Sequence, residues 1–158
     1  MDVRQFRELI VRPTLAAINL PHPDRAEELL IATAAHESAG LRYIKQVGGG
    51  PALSFYQIEP VTGSDVMDRW LYRQNRNLRD MVAIVSEFRA GDDLNARLLS
   101  DMRFSTVVAR LIYYRAPEPL PKADDVPAMA ALWGKRWHTE SDPVKMQQFI
   151  INHARFVR

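Results

Sequence analysis

Cysteine is absent from this chain of 158 residues. Without thiols the protein has no disulfide framework and no thiolate nucleophile, so its hydrophobic core must hold the fold together. The four histidines, His22, His36, His138 and His153, share no spacing typical of metal ligands, and no cysteine complements them. We therefore expect no metal site and no other cofactor.

Long hydrophobic runs are also missing. Charged residues interrupt the first seven positions, and no stretch approaches the roughly 20 apolar residues that a membrane-spanning helix needs. The sequence thus predicts no signal peptide and no membrane span. We expect the protein to be made in the cytoplasm, so activity outside the cell would need another factor to carry it there.

Neither sign of charge is in large excess, since 21 basic residues face 19 acidic ones and leave a net charge of +2. The basic side chains are scattered rather than gathered into one stripe, which argues against nucleic acid as a partner. A slightly basic protein would still be attracted to an anionic polymer such as bacterial cell wall.

Helical periodicity is the main feature that the sequence does contain. The length fits a single domain over residues 1–158, and a composition of 47% hydrophobic and 25% charged residues is typical of a globular protein. Recurrence of apolar residues at three- and four-residue steps predicts a mainly α fold. The predicted helical stretches are 6–20 with an interruption near Pro13, 24–37, 64–72, 78–89, 94–101, 104–114, 127–137 and 143–157.

Residues 40–62 are the only region with strand character. A run of three glycines at 48–50 precedes the apolar segment 52–58, so we predict a short β-hairpin or an ordered loop around residues 42–60. The glycines are not followed by Lys-Ser or Lys-Thr, which excludes a phosphate-binding loop of that type. The proline-rich segment 116–121 is interpreted as a rigid connector on the surface.

Glu37 is the most informative single residue. Asp24 can cap the preceding helix, and Glu27 completes the spacing of a capping box. One helix face then carries, in order, Ala26, Leu29, Leu30, Thr33 and Glu37. A carboxyl group facing the core tends to retain its proton, as a general-acid catalyst requires. Alternatively, the side chain reaches solvent or pairs with an arginine.

A second motif follows Glu37 at a suggestive distance. The pair Glu37-Ser38 is followed, some twenty residues later, by Ser-Phe-Tyr-Gln-Ile-Glu-Pro at residues 54–60. This combination resembles the lytic transglycosylases and goose-type lysozymes, in which a catalytic Glu-Ser pair precedes a segment of the type Gly-Leu-Met-Gln-Ile-x-Pro. Small uncharacterised bacteriophage proteins of this type are similar over most of the chain, through residues 37–52, 109–121 and 132–137.

The chain departs from that pattern at two places. Ser54, Phe55 and Tyr56 stand where the enzymes have Gly-Leu-Met, so the loop is bulkier. The family's later Ala-Tyr-Asn segment has its nearest counterpart in 109–114, where Tyr113 matches the tyrosine and Tyr114 replaces the asparagine.

The resemblance implies a lysozyme-like helical domain that cleaves the bond between N-acetylmuramic acid and N-acetylglucosamine. Glu37 would protonate the bridging oxygen while positive charge develops on the sugar ring. The ionised Glu37 would then take a proton from water, giving hydrolysis, or from the 6-hydroxyl of the sugar, giving an anhydro product. The resemblance further implies substrate-binding roles for Ser38, Tyr56, Gln57 and Tyr113.

Several other side chains near the motif allow both a functional and a structural interpretation. Glu59 and Asp65 are candidates for a second carboxylate by nearness in sequence, and both also suit a solvated or helix-capping role. Gln57 would either hold the loop or bind the acyl-amino group of the sugar. At least one of Phe55 and Tyr56 should point inward. The C-terminal tryptophans, Trp133 and Trp137, share a helix face and are expected to anchor the last helices.

Two functions stay open at this stage. The first is a phage-type muramidase or lytic transglycosylase acting on peptidoglycan glycan strands. The second is a catalytically silent lysozyme-like structural or adaptor protein of a virion, with other virion proteins as partners. Either would be made in the host cytoplasm and would act at the cell wall or within a particle. An open groove lined by a protonated Glu37, Gln57 and a tyrosine favours the enzyme. A groove filled by Phe55 or Tyr56, or covered by segment 116–121, favours the structural role.

Overall fold

A computed structural model of the chain describes residues 1–138 and 142–157, and these residues are mainly helical. The predicted mainly α fold is therefore confirmed. The helices are α1 (consecutive segments Val3–Phe6, Arg7–Val11 and Arg12–Ile18), α2 (Pro23–Glu37), α3 (consecutive segments Pro60–Ser64, Asp65–Trp70 and Leu71–Arg73), α4 (Arg76–Ser86), α5 (Leu94–Ser100), α6 (Met102–Tyr114), α7 (Val126–Trp137) and α8 (Pro143–Phe156). Helices α1 to α8 all contribute buried apolar side chains to one cluster.

Helix α1 passes Pro13 without a break because it changes its hydrogen-bond register just before the proline. In the segment Arg7–Val11 the helix widens to a π turn, and the N–H of Arg12 bonds to the carbonyl of Arg7. Proline lacks an N–H and crowds the carbonyl four residues earlier, so a wider turn relieves the conflict. The predicted interruption near Pro13 is thus a local change of helix type.

Helix α2 begins one residue earlier than predicted and without a capping box. Its N-terminal cap is His22, which has a left-handed backbone and makes no side-chain capping bond, while Pro23 occupies the first turn. The predicted cap by Asp24 is therefore wrong. Glu27 instead accepts hydrogen bonds from Arg12 at 3.0 and 2.9 Å and from Arg7 at 3.1 Å, and so ties α2 to α1.

Helix α2 lies at the centre of the fold. Every residue from Leu29 to Ala35 is buried, so the helix is enclosed on all sides rather than along the single predicted face. It packs against α1, α6 and α8. A helix that is apolar all round is typically a core helix. The C-terminal turn of α2, which carries Glu37, is thereby brought between other helices.

Helix α6 is the second buried helix and is fastened to α2 by a polar contact. The hydroxyl of Tyr113 lies 2.7 Å from that of Thr33, and this contact is buried. Because this bond satisfies both hydroxyl groups away from water, it fixes the register of the two helices.

Residues 40–59 form an ordered loop with little strand structure. Within it, two isolated antiparallel bridges pair Lys45 with Leu53 and Leu53 with Ile58. Phe55 and Tyr56 both point into the core, where their rings pack against Phe6 at centroid distances of 5.5 and 6.1 Å. The ordered-loop alternative and the inward orientation are both confirmed.

The C-terminal helices are anchored by the two tryptophans, as predicted. Trp133 packs on Phe149 of α8 with ring centroids 5.2 Å apart. Trp137 stacks on Tyr113 at 4.8 Å and donates its indole N–H to the carbonyl of Tyr56 at 2.8 Å. These contacts place the end of α7 against both α6 and the loop.

The proline-rich segment 116–121 connects α6 to α7. Glu118 within it pairs with Arg136 and with Lys135, which attaches the segment to the last turn of α7. Among the described helices, none is both long enough and apolar enough to cross a membrane.

Burial of α2 gives a direct test of this core. Leu30 is fully buried, whereas Leu9 on α1 is 68% exposed. We expect Leu30→Ala to lower the free energy of unfolding by about 2–5 kcal/mol, because it removes buried methyl groups and leaves a cavity. The matched change Leu9→Ala should alter it by less than about 0.5 kcal/mol. Urea denaturation measures the free energy of unfolding of both variants. Equal losses in the two variants would contradict the burial of α2 in the core.

Candidate active site

Glu37 is the last residue of α2, and the chain leaves the helix through a strained turn. Ala39, Gly40 and Leu41 have left-handed backbone conformations, with φ angles of 51°, 75° and 63°. For alanine and leucine this conformation costs about 1–2 kcal/mol each. Such strain persists only where surrounding contacts impose it, and it is frequent beside functional sites.

Ser38 and Gly40 supply the contacts that hold this turn. The Ser38 hydroxyl donates to the carbonyl of Ala34 at 2.6 Å and accepts from the N–H of Leu41 at 3.1 Å, both inside the protein. A Cβ on Gly40 would lie 2.8 Å from the ring of Phe156, so only glycine fits there. The predicted substrate contact of Ser38 is therefore corrected: its buried side chain caps α2.

The carboxyl group of Glu37 lies beside the indole of Trp133, whose Nε1–H donates to Oε1 at 2.7 Å. Glu37 is only partly exposed, and burial raises its pKa to about 7, against the smaller opposing effects of the Trp133 hydrogen bond and the Lys145 charge. A carboxyl group with such a pKa is protonated in a large fraction of molecules at neutral pH.

No arginine, lysine or histidine lies within ion-pair distance of Glu37 in the part of the chain that the structure describes. The alternative in which Glu37 pairs with an arginine is therefore not observed. Its partner is a neutral indole, which orients the carboxyl group without neutralising a charge.

Glu37 opens onto a cavity of about 710 Å³, a size within the range of ligand-binding pockets. One wall comes from the end of α2, a second from the loop 40–59, and a third from the end of α7. The lining side chains that carry chemistry or stacking surfaces are His36, Glu37, Tyr43, Gln57, Glu59, Arg136, Trp137 and His138.

Gln57 lies on this cavity and also holds the loop. Its backbone is left-handed, with φ 48°, and its amide Nε2 donates to the carbonyl of Ser54 at 2.8 Å. The side-chain oxygen of Gln57 takes no part in that bond. The two interpretations of Gln57, as a residue that holds the loop and as a substrate contact, are thus compatible. The amide nitrogen of Gln57 fixes the turn, and the residue also lines the cavity.

Tyr56 and Tyr113 are not cavity residues, which corrects their predicted substrate contacts. Both are buried, with exposed fractions of 0% and 2%. Their hydroxyls bond to Thr106 at 3.1 Å and to Thr33 at 2.7 Å. Burial raises both pKa values above the ordinary tyrosine value. The ring of Tyr113 stacks on Trp137, which lines the cavity.

The two candidate second carboxylates lie in different places. Glu59 lines the same cavity as Glu37, whereas Asp65 lines a separate cavity of about 720 Å³. Asp65 is paired with Arg115 at 2.5 Å, and this hydrogen bond lowers the pKa of Asp65. Glu59 and Glu37 therefore share a cavity, and Asp65 lines a different one.

Sequence reasoning missed several site residues contributed by distant or neighbouring segments. Trp133 reaches Glu37 across 96 positions of sequence, and no local pattern indicates that contact. His36 lies on the cavity as well, and burial, with repulsion from His138, lowers its pKa to about 4. Its Nδ1 lies 3.1 Å from the amide of Asn152 on α8. His36 is therefore a neutral imidazole at pH 7.

Comparison with known proteins identifies no relative. No protein-family model, no curated protein and no solved structure matches this chain.

The burial of Glu37 predicts a pH-dependent stability difference. Its pKa is about 7 in the folded state and 4.5 as the reference value. Between these values the folded protein binds more protons than the unfolded chain, so the Glu37 contribution to stability falls as pH rises through that window. Glu37→Gln, which cannot ionise, should therefore gain about 2–3 kcal/mol relative to wild type between pH 4.5 and pH 8.

Denaturant unfolding at several pH values measures this difference. The control is the same substitution at an exposed glutamate, Glu8→Gln. A Glu37→Gln offset that does not change with pH would show that the Glu37 carboxyl is solvated in the folded protein.

Proposed function

We propose that the protein is a lysozyme-like, peptidoglycan-cleaving enzyme, a phage-type muramidase or lytic transglycosylase. Its substrate is the glycosidic bond between N-acetylmuramic acid and N-acetylglucosamine in glycan strands. The observation that carries the proposal is a carboxyl group with a pKa of about 7 on the wall of an open cavity of about 710 Å³. General-acid catalysis near neutral pH needs a proton donor with these properties.

Glu37 starts the reaction as an acid. It donates its proton to the bridging oxygen while the bond from that oxygen to C1 of N-acetylmuramic acid breaks. The departing sugar leaves as an alcohol, and positive charge develops at C1. Attack on C1 by water or by the sugar's own 6-hydroxyl then releases one proton, which returns to the Glu37 carboxylate. The enzyme is thereby restored, with a hydrolysed or an anhydro product.

Other cavity residues have supporting roles in this proposal. Glu59 would orient the attacking water or stabilise the positive charge, because it lines the same cavity. Tyr43 and Trp137 offer aromatic faces to sugar rings. The oxygen of the Gln57 amide would accept a hydrogen bond from the substrate's acyl-amino N–H.

The cavity beside Glu37 is open, and this supports the enzymatic function over the structural one. Phe55 and Tyr56 are packed into the core and do not fill it. Among the described residues, none of segment 116–121 lines it. The proposed place of action is the cell wall, reached as a free enzyme or as part of a particle.

One observation favours the catalytically silent virion protein instead. Tyr56 and Tyr113, two of the expected substrate contacts, are withdrawn into the core and bonded to threonines. In that second proposal the fold serves as a structural or adaptor part, and other virion proteins are its partners. Activity measurements separate the two.

Removing the acid should abolish cleavage. We expect Glu37→Gln to lower kcat by about 100- to 10,000-fold, the usual contribution of general-acid catalysis. Turbidity clearing of purified peptidoglycan and analysis of the released muropeptides measure it. The control Glu8→Gln should retain wild-type activity. Equal activity in Glu37→Gln and wild type would remove Glu37 from the mechanism, and inactivity of the wild type would favour the structural role.

Substitutions of Glu59 and of Asp65 should have different effects on kcat. Glu59→Gln should lower kcat by about tenfold or more if Glu59 positions water or opposes the developing charge. Asp65→Asn should leave kcat almost unchanged, because Asp65 lies in the other cavity and is paired with Arg115. The same muropeptide assay measures both variants. A larger loss for Asp65→Asn than for Glu59→Gln would contradict this assignment.

A further inference from the structure

Trp133 is the described side chain that makes a direct hydrogen bond to the Glu37 carboxyl group. Its Nε1 lies 2.7 Å from Oε1 of Glu37, and Trp133 is only 1% exposed. A buried indole N–H without a partner would be costly, so this bond satisfies Trp133 and simultaneously fixes one oxygen of Glu37. Neither group depends on solvent for this contact.

The indole is itself held rigidly by three rings. His36 contacts it edge-on at 4.5 Å, His138 does so at 4.8 Å, and Phe149 packs on it at 5.2 Å. These rings belong to α2, to the residue after α7 and to α8. A side chain packed against three rings, two of them from other helices, has little freedom to rotate, so the direction of its N–H is set by the packing of the fold.

The bond also distinguishes the two oxygens of the carboxyl group. An indole N–H can only donate, so Oε1 must act as an acceptor. A protonated carboxyl group has one O–H, and its proton is favoured on the oxygen that does not face a donor. Oε2 is therefore the oxygen that carries the acidic proton.

We propose that Trp133 is a positioning residue that places the catalytic proton of Glu37 on Oε2 and holds that oxygen toward the cavity. This inference rests on the proposed glycosidase function for its catalytic part. The hydrogen bond itself can be tested without any substrate.

Several other groups act on the same carboxyl and must be kept constant in a test. Lys145 on α8 favours the ionised form of Glu37. The neutral His36 adjoins it in sequence, Tyr113 on α6 is electrostatically coupled to it, and Glu59, Arg136 and His138 line the same cavity. A substitution that leaves these side chains in place isolates the effect of the indole N–H.

The sharpest variant replaces Trp133 with 3-benzothienylalanine, which keeps the size and shape of the indole but has sulfur in place of N–H. An N–H donor stabilises a carboxylate more than a neutral acid, so its loss should raise the pKa of Glu37 by about one unit. Carbon-13 NMR titration of the labelled Glu37 carboxyl measures this shift directly. Trp133→Phe provides a second variant, with the same direction expected.

Kinetics test the catalytic part of the inference. We expect kcat to fall by about 10- to 100-fold with little change in KM, and the alkaline limb of the kcat profile to move upward with the pKa of Glu37. The matched control is benzothienylalanine at Trp70, a partly buried tryptophan of α3 that contacts Tyr114 and does not line the Glu37 cavity. It should leave both the titration and kcat unchanged.

Each outcome decides the inference. An unshifted Glu37 pKa in a folded benzothienylalanine variant would overturn the hydrogen bond. A shifted pKa with unchanged kcat would overturn the positioning role. If the wild-type protein cleaves no peptidoglycan, the proposed function fails, and the titration alone decides whether Trp133 orients Glu37.

Discussion

The proposed chemistry of this protein depends on one carboxyl group at the end of a buried helix. Helix α2 is enclosed by its neighbours over its whole central part, so its final turn emerges among packed side chains rather than into solvent. In that environment the ionised form of Glu37 is poorly hydrated, and the pKa of its carboxyl group therefore rises to about 7. A fully exposed glutamate would be ionised at neutral pH and could not act there as a proton donor.

The strained turn after Glu37 and the rings around Trp133 both contribute to the surroundings of the Glu37 carboxyl group. Left-handed backbone at Ala39 and Leu41 is unfavourable, and the Ser38 bonds hold it there. This turn directs the chain away from the helix and into the loop that forms the opposite wall of the cavity. Trp133 then donates a hydrogen bond to one oxygen of the carboxyl group. Strain and enclosure together create a shielded acid that faces an open space.

Local sequence patterns predicted most of the helices and the inward-facing position of Glu37, because three- and four-residue periodicity reflects burial directly. They failed where a residue's partner lies elsewhere. Glu27 has the spacing of a capping residue but pairs with Arg12 and Arg7 of α1. Tyr56 and Tyr113 lie in or near the expected motifs, yet their hydroxyls find threonines in the core. In each case a tertiary contact outweighed the local preference.

The sequence by itself determined that the protein is mainly helical and that an acid ends the apolar run of helix α2, since both follow from the order of polar and apolar residues along the chain. Tertiary structure alone decided which groups surround that acid. Trp133 reaches Glu37 from 96 positions away, Glu59 shares its cavity, and Asp65 does not. These relations depend on how helices pack, which is set by the fit of many side chains at once and not by any single segment.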